Sequence, residues 1–361
     1  MHFLNFHIIQ PVPFSCLNRD DMGSPKTSVF GGMTRGRLSS QSQKKAARTV
    51  FEAETGADLT FRSRLTPLMI EEKALPLLEQ MGYEVDDDAK KKVRKEATTQ
   101  IKRLTDNPKA DGEDDGMSKT LVWLAEREID EAARKIAKKV TGEEPEPLVN
   151  STTGSLTIAA FGRMMAARPD LELEGASQVG HAMMTHETTT EVDYFTAVDD
   201  LQAEFEGDAG AGHLNLAEYT SGVFYRWFSL DRDQLRATWE DIDRDDAHDR
   251  LTALVQAMIL TLPSGRQAST APHTLPVAVV AEESTQPLTM VAAFERAVPP
   301  SSEGFIGASI DAFMKYREQA HAFSPSRFGR ARVAEAAPNR PVKGSLDEVV
   351  NFAATWLRES S

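Results

Sequence analysis

The sequence predicts an α+β fold of split ferredoxin type. Three observations predict it. Strand-like and helical stretches follow one another as β-helix-β near the N-terminus and as β-helix near the C-terminus. Residues 59–145 change to helical periodicity, which reads as an insertion between the two. After it, residues 191–201 alternate in polarity, run into a Gly-rich tip at 207–212, and are answered by an apolar run at 221–228. That grammar is a long β-hairpin, or a strand–loop–strand excursion.

Taken in order, residues 2–10 read as a strand in which Leu4, Phe6 and Ile8 alternate with more polar neighbours. Pro11 and Pro13 are expected to end it. Residues 16–21 follow as a polar loop. Asp20 and Asp21 are adjacent carboxylates with no second cluster nearby in sequence, the pattern of a turn or helix cap more than of a metal site. Helices are expected over 67–81, 86–104 and 118–140, with a polar linker at 106–116. The basic run Lys90–Lys95 is balanced by Asp86, Asp87 and Asp88 and reads as a solvated helix face. Residues 143–147 close the insertion. Further on, 231–262 is expected as a helix, 264–269 as a turn and 273–281 as a short buried strand. A helix opening on a proline is expected over 287–298, and one more over 346–358, behind a loop rich in Ala, Arg and Pro.

Composition narrows the class. With 361 residues, 40% apolar and 27% charged, the chain can bury a sizeable core. Cys16 is the single cysteine, which excludes an internal disulfide framework and a cysteine zinc site and favours a reducing compartment. No apolar run reaches membrane-spanning length and the N-terminus lacks a signal-peptide pattern, so a cytoplasmic location is expected.

Against a formal charge of −14, residues 22–51 stand apart. They hold six basic residues, Lys26, Arg35, Arg37, Lys44, Lys45 and Arg48, and no acidic one. A basic island in an acidic protein points to a docked polyanion. Gly31-Gly32 and Gly36 allow sharp turns and close approach. Ser40 and Gln43 fit a capping box, and Lys44 and Arg48 share a helix face. A Gly-rich loop feeding a helix start suits phosphate oxygens. Arg19 is a further candidate phosphate contact. The competing reading is a solvated basic helix behind a loop.

Several chemistries lack their signature. There is no G-x-x-x-x-G-K-[ST] loop and no G-x-S-x-G elbow. His181 and His186 are five apart, which fits no common zinc pair. Asp199 and Asp200 would point to opposite faces of a strand. No cofactor, metal or catalytic residue is expected.

Three N-terminal segments, Ser15-Cys-Leu-Asn-Arg-Asp-Asp-Met22, Val29-Phe-Gly-Gly32 and Arg37-Leu-Ser-Ser-Gln-Ser42, together with residues 177–186, Asp193-Tyr-Phe-Thr-Ala-Val-Asp-Asp-Leu201, Ser221-Gly-Val-Phe-Tyr-Arg226 and 290–298, carry a resemblance. In this order they resemble the CasC-type backbone subunit of the type I-E CRISPR Cascade complex. The resemblance implies a modified RRM, ferredoxin-like palm with a helical fingers insertion and a β-hairpin thumb. It divides the chain into palm (1–58), fingers (59–180), palm (181–192), thumb (193–222), and palm with C-terminal helices (223–361). It implies CRISPR RNA, further copies of the chain, other Cascade subunits and, through guide pairing, target DNA as partners, with no membrane. Guide-backbone contacts map onto Lys26, Lys44 and Arg48, with Arg19 and Gly31-Gly32 close by, and the whole expected RNA track adds Arg35, Arg37, Ser40, Gln41 and Lys45. Residues that wedge the guide map onto Met164 and onto Tyr194, Phe195, Thr196 and Val198. The resemblance further implies holding RNA without cutting it.

Two other classes stand beside this one. One is an enzyme acting on a phosphorylated small molecule at the Gly31-Gly32 loop, which would need a perturbed acid or base beside the phosphate. The other is a purely structural assembly subunit, which salt-sensitive RNA binding would exclude.

Overall fold

A computed structural model of the chain describes residues 1–56, 58–105, 116–143, 147–197 and 213–359. Residues 106–115 of the expected 106–116 linker, residues 144–146 and the Gly-rich tip at 207–212 lie outside them. In chain order the elements are β1 (Phe3–Ser15), β2 (Thr27–Phe30), β3 (Met33–Leu38), α1 (Ser40–Thr55), β4 (Thr60–Ser63), α2 (Thr66–Gln80), α3 (Asp87–Thr105), β5 (Val122–Ala125), α4 (Glu126–Val140), α5 (Leu156–Phe161), β6 (Ser177–Val179), β7 (Ala182–Met184), β8 (Thr190–Ala197) and β9 (His213–Asp231). There follow α6 (Arg232–Thr238), α7 (Ala247–Leu260), β10 (Ala278–Ser284), α8 (Ile306–Phe323), β11 (Phe328–Glu335) and α9 (Leu346–Arg358). The fold is mixed α+β with an antiparallel sheet. Among the described residues no helix is long and apolar enough to cross a membrane.

The chain divides into two compact units. The first is Met1–Arg48, Val179–Ser229 and Leu254–Ala353. Its sheet has the strand order β11-β10-β1-β9-β7-β3-β2. β1 lies inside the sheet and is covered on both faces, so Leu4, Phe6 and Ile8 are buried and so are Asn5, His7 and Ile9 on the opposite face. Phe6 stacks on Phe228 at 4.2 Å between centroids. Ile9, Val280, Tyr225, Phe294 and Phe313 share one apolar cluster. The strand runs on through Pro11 and Pro13, against expectation. The reason is register: pairing with β10 spans Phe3 to Ile9, so neither proline has to supply a donor to that ladder.

Asn5, Gln10 and His7 Nδ1 find hydrogen-bond partners, whereas the buried His7 Nε2 finds none among the described residues. His7 Nδ1 accepts the Tyr225 hydroxyl at 2.8 Å, and the Tyr225 oxygen accepts Met290 N–H at 2.9 Å. Burial, with Arg317 adding repulsion, pushes the His7 imidazole down to about 3. Unfolded, it titrates near 6.5. Protons are therefore taken up by the unfolded chain first, and stability present above about pH 6.5 is lost as pH falls toward about pH 3. Denaturant titrations at about pH 7 and about pH 4.5 are expected to differ by about 2–3 kcal/mol more for the wild type than for His7→Gln. Equal pH slopes in the two proteins would contradict it.

The second unit is Thr49–Gln178, Leu230–Ala253 and Ala354–Ser361. Its core is helical: Ile70, Ala74 and Leu78 of α2, Val93, Ala97 and Ile101 of α3, and Ile129, Ala133 and Ile136 of α4 recur at the three- and four-residue spacing of a buried stripe. Arg163, almost fully buried, pairs with Glu128 at 2.7 Å and donates to Asn150 O at 3.1 Å.

Three expected helices are corrected. Residues 118–140 split, because Val122–Ala125 pair with Thr60–Ser63 as strands and Glu128 then caps Ala125 N–H at 3.0 Å. Residues 231–262 form two helices, parted around a buried Trp239 that carries Arg250 over its ring. Residues 287–298 hold only a 3-10 turn, Val291–Phe294, which still buries Met290, Phe294 and Val298. The long helix α8 and the edge strand β11 stand where only a loop was expected.

Candidate nucleic-acid interface

The basic island folds as a hairpin followed by a helix. β2 and β3 pair from Thr27↔Gly36 to Phe30↔Met33, which leaves Gly31 and Gly32 as a two-residue turn. Both have positive φ, 59° and 77°, as a primed hairpin turn demands. A Cβ on Gly31 would come within 1.7 Å of the Glu295 carbonyl oxygen, whereas one on Gly32 would meet open space. The close approach expected of this loop is thus to the chain's own backbone. The loop also does not feed a helix start, since β3 intervenes before α1.

Arg35 is corrected in the same way. It is fully buried, and its guanidinium donates to the carbonyls of Met184 (3.2 Å), Thr185 (2.9 Å), Phe294 (3.1 Å) and Glu295 (3.4 Å). It clamps the hairpin to the backbone and is not part of the exposed basic surface. Burial holds its pKa below the usual guanidinium range, against the pull of Glu187 and Glu295.

The remaining basic residues lie at or near the surface of the first unit. Lys26 N–H donates to Asn18 O at 2.9 Å, and Lys26 O accepts Arg37 N–H at 2.8 Å, so Lys26 sits between the 16–21 loop and the end of β3. Asn18 Oδ1 accepts Ser39 N–H at 2.8 Å. Arg19 is exposed and bridges to Pro25. Asp20 closes that loop by accepting Met22 N–H (2.9 Å) and Ser24 N–H (3.0 Å). Among the described residues no carboxylate, histidine and cysteine group could hold a metal.

The helix cap falls one residue earlier than the capping-box reading placed it. α1 starts at Ser40, and Ser39 Oγ accepts Ser42 N–H at 3.3 Å. Gln43 does not reach back to close a box. It is buried, donates to Gly180 O (3.0 Å) and Leu38 O (3.4 Å), and accepts from Arg226 Nε (3.2 Å). With Gln43 and Ala47 turned inward, Gln41, Lys44, Lys45 and Arg48 are left on the outer turns of α1. Lys44 is half-buried, and that burial pulls its pKa below the ordinary lysine range. Ser40 is half-buried beside Gln41, its Oγ 3.3 Å from Gln41 Oε1.

A histidine completes the cluster, and sequence reasoning did not place it there. His181 Nδ1 lies 3.2 Å from Arg37 Nη1 and 3.4 Å from Ser40 N. It is separated from Arg37 by 144 positions in the chain, so no local pattern reveals it.

The hairpin arms pair from Thr190↔Thr220 to Ala197↔His213. The register sets Tyr194 opposite Leu216 and Val192 two residues away on the same face. All three are exposed, Tyr194 to 66%. The other face rests on Ala217, Cys16 and Tyr219, with Phe14 stacked on Tyr219 at 4.2 Å. Leu216 was missed because its partner strand could be aligned only once the register was known. Phe195 and Thr196 are placed as backbone of β8, while their side chains and Val198 lie outside the described residues. Met164 belongs to the second unit. It is 77% exposed between the buried Arg163 and Met165, and backbone bonds to Leu173 on both sides of Arg163 (2.7 and 2.9 Å) hold it there.

The model of the family described as CT1975-like protein matches residues 4–352. No curated protein matches. Among solved structures, a chain of "CRISPR RNA-guided surveillance complex, pre-nicking" is 29% identical with a TM-score of 0.78, over 98% of this chain and 100% of that one. A chain of "CRISPR RNA-guided surveillance complex" is 25% identical with a TM-score of 0.63, over 98% and 99%.

Proposed function

This chain belongs to the CT1975-like protein family, and we propose that it is the CRISPR RNA-binding backbone subunit of a type I-E Cascade surveillance complex. In this reading copies of the chain line up along the guide spacer beside other Cascade subunits and present the guide for pairing with target DNA. The observation that carries it is the acid-free segment 22–51, folded so that Lys26, Arg37 and the start of α1 are tied together at one surface of a protein of net charge −14. Such a surface neutralises phosphates and carries no sequence information. Arg19, Gln41, Lys44, Lys45 and Arg48 extend it, and Gly32 leaves the hairpin tip open. The likeness to chains of RNA-guided surveillance complexes over nearly their full length supports the same reading. The small-molecule alternative finds no support, since the close approach that Gly31 permits is taken by Glu295 O.

We assign the palm to residues 1–58, 181–192 and 223–361 with an RRM-like sheet, the fingers to 59–180 and the thumb to 193–222. No catalytic step is assigned, and the site of action is the cytoplasm. Met164 supplies an unbranched, adaptable side chain, and Tyr194, Phe195, Thr196 and Val198 supply the thumb's side of a wedge that turns out one base per subunit. The other bases of each segment stay stacked and available, so sequence is read by base pairing.

Reconstitution of the full chain with its partner subunits and a guide RNA, followed by target binding with single mismatches along the guide, tests this. Regularly spaced positions where a mismatch costs almost nothing are expected. A uniform penalty would remove the wedge, and failure to assemble on RNA would remove the binding reading altogether.

A further inference from the structure

His181 lies in the turn between β6 and β7, at the edge of the basic surface. Its ring is exposed, yet one side of it is occupied. Nδ1 accepts from Arg37 Nη1 at 3.2 Å and faces Ser40 N–H at 3.4 Å. A ring nitrogen that accepts cannot carry the proton, so the neutral imidazole bears it on Nε2. The hydrogen-bond pattern thereby leaves Nε2–H as the donor of this ring.

The charges facing the ring are Arg37 from β3 and Lys26 from the segment ahead of β2. Both are cations. Partial burial and these two neighbours hold the imidazole below its ordinary range, so the free protein keeps it neutral at physiological pH. An imidazole beside two cations, with no carboxylate paired to it among the described residues, is poised to respond to an anion.

We propose that His181 is an RNA-contacting residue of the basic track, donating from Nε2–H to a phosphate of the guide and taking up one proton from solvent as it does so. The inference rests on the RNA-binding reading and adds to it a residue and a proton linkage. The added proton goes to Nδ1, which ceases to accept and becomes a donor. Arg37 Nη1 is then released to the same phosphate, so one proton adds a charge to the surface and frees a second donor. The anion favours the imidazolium, so the group's pKa in the complex lies above its value in the free protein. Binding is therefore linked to proton uptake. Affinity rises as pH falls from the bound pKa to the free one, and is flat above and below that window.

The test uses the full chain and a fluorescein-labelled single-stranded RNA of mixed sequence, with affinity read by anisotropy at fixed salt. From about pH 8 to about pH 5.5 the wild type is expected to bind about fivefold to tenfold more tightly, the yield of one linked proton. His181→Asn places an amide oxygen where Nδ1 accepts but cannot titrate, and its affinity is expected to be independent of pH. A second measurement needs no variant: the His181 C2 proton resonance of the wild type, followed by NMR, should titrate at higher pH with RNA than without. A wild type that binds in a salt-sensitive but pH-independent way overturns the inference and leaves the RNA-binding reading intact. A pH slope retained in His181→Asn, or a resonance whose titration RNA does not move, overturns it equally. Absence of RNA binding at every pH and salt overturns the binding reading and this inference with it.

Discussion

Replacing Lys26, Lys44 and Arg48 together by alanine is expected to weaken RNA binding about fiftyfold at about 0.15 M salt, and equally for unrelated sequences. The figure follows from counterion release. Each lost contact to a single strand flattens the dependence of log K on log salt by about 0.7, so three flatten it by about 2. The loss is indifferent to sequence because phosphates are what these side chains meet. Structure predicts little damage to the fold, since none of the three is fully buried and Lys44 and Arg48 lie on the outer turns of α1. Anisotropy titrations across a salt series check it. A slope identical to the wild type would take this surface out of the RNA track. Arg35, from the same island, would behave differently: its alanine variant strands four carbonyls and is a folding variant before it is a binding one.

Arg226→Ala is expected to lower stability by about 3–5 kcal/mol, since it leaves several buried neutral acceptors without their donor, at about 1–3 kcal/mol for each one left unsatisfied. All five N–H donors of this guanidinium are used. Nη1 donates to Gln10 Oε1 (2.6 Å) and Ile259 O (2.7 Å), Nη2 to Met258 O (2.9 Å) and Thr261 O (3.0 Å), and Nε to Gln43 Oε1 (3.2 Å). The three carbonyls belong to the open C-terminal end of α7, where a cation also answers the helix dipole. Burial pushes Arg226 down to about 10, which leaves it charged at neutral pH. Lysine has three donors on a single nitrogen and cannot replace the fork, so Arg226→Lys is expected to fall between alanine and the wild type. Urea denaturation measures both. An alanine variant within about 0.5 kcal/mol of the wild type would show the network to be dispensable. Because Gln43 loses its partner, the folded fraction of Arg226→Ala should also bind RNA more weakly through a displaced α1.

The candidate surface was legible wherever its signal is local. Six basic residues without an acidic neighbour, two adjacent glycines and a serine-rich helix start are statements about neighbouring positions. They led to Lys26, Arg37, Lys44, Lys45 and Arg48, and to a turn at Gly31-Gly32. The same signals misplaced Arg35 and Gly31, because what meets them is the backbone of residues 294–295, about 260 positions away in the chain. The long helix α8 carries Ile306, Ile310 and Phe313 at helical spacing and was open to the same periodicity argument that located α2 and α3.

By itself the sequence determined the α+β class, the helical character of residues 66–105, the strand nature of β1 and both hairpin arms, and the charge that separates residues 22–51 from the rest. Each depends on periodicity or composition within one stretch, where side chains alternate or recur according to backbone geometry alone. Only the tertiary structure decided which basic side chains reach solvent, that Val122–Ala125 pair as a strand, that Tyr194 and Leu216 share a face, and that His181 joins Arg37. Those depend on sheet order and register, which bring together residues outside one local stretch, from Tyr194 and Leu216 across the hairpin to Arg37 and His181, 144 positions apart, and a buried guanidinium and an exposed one are the same letter until that packing is known.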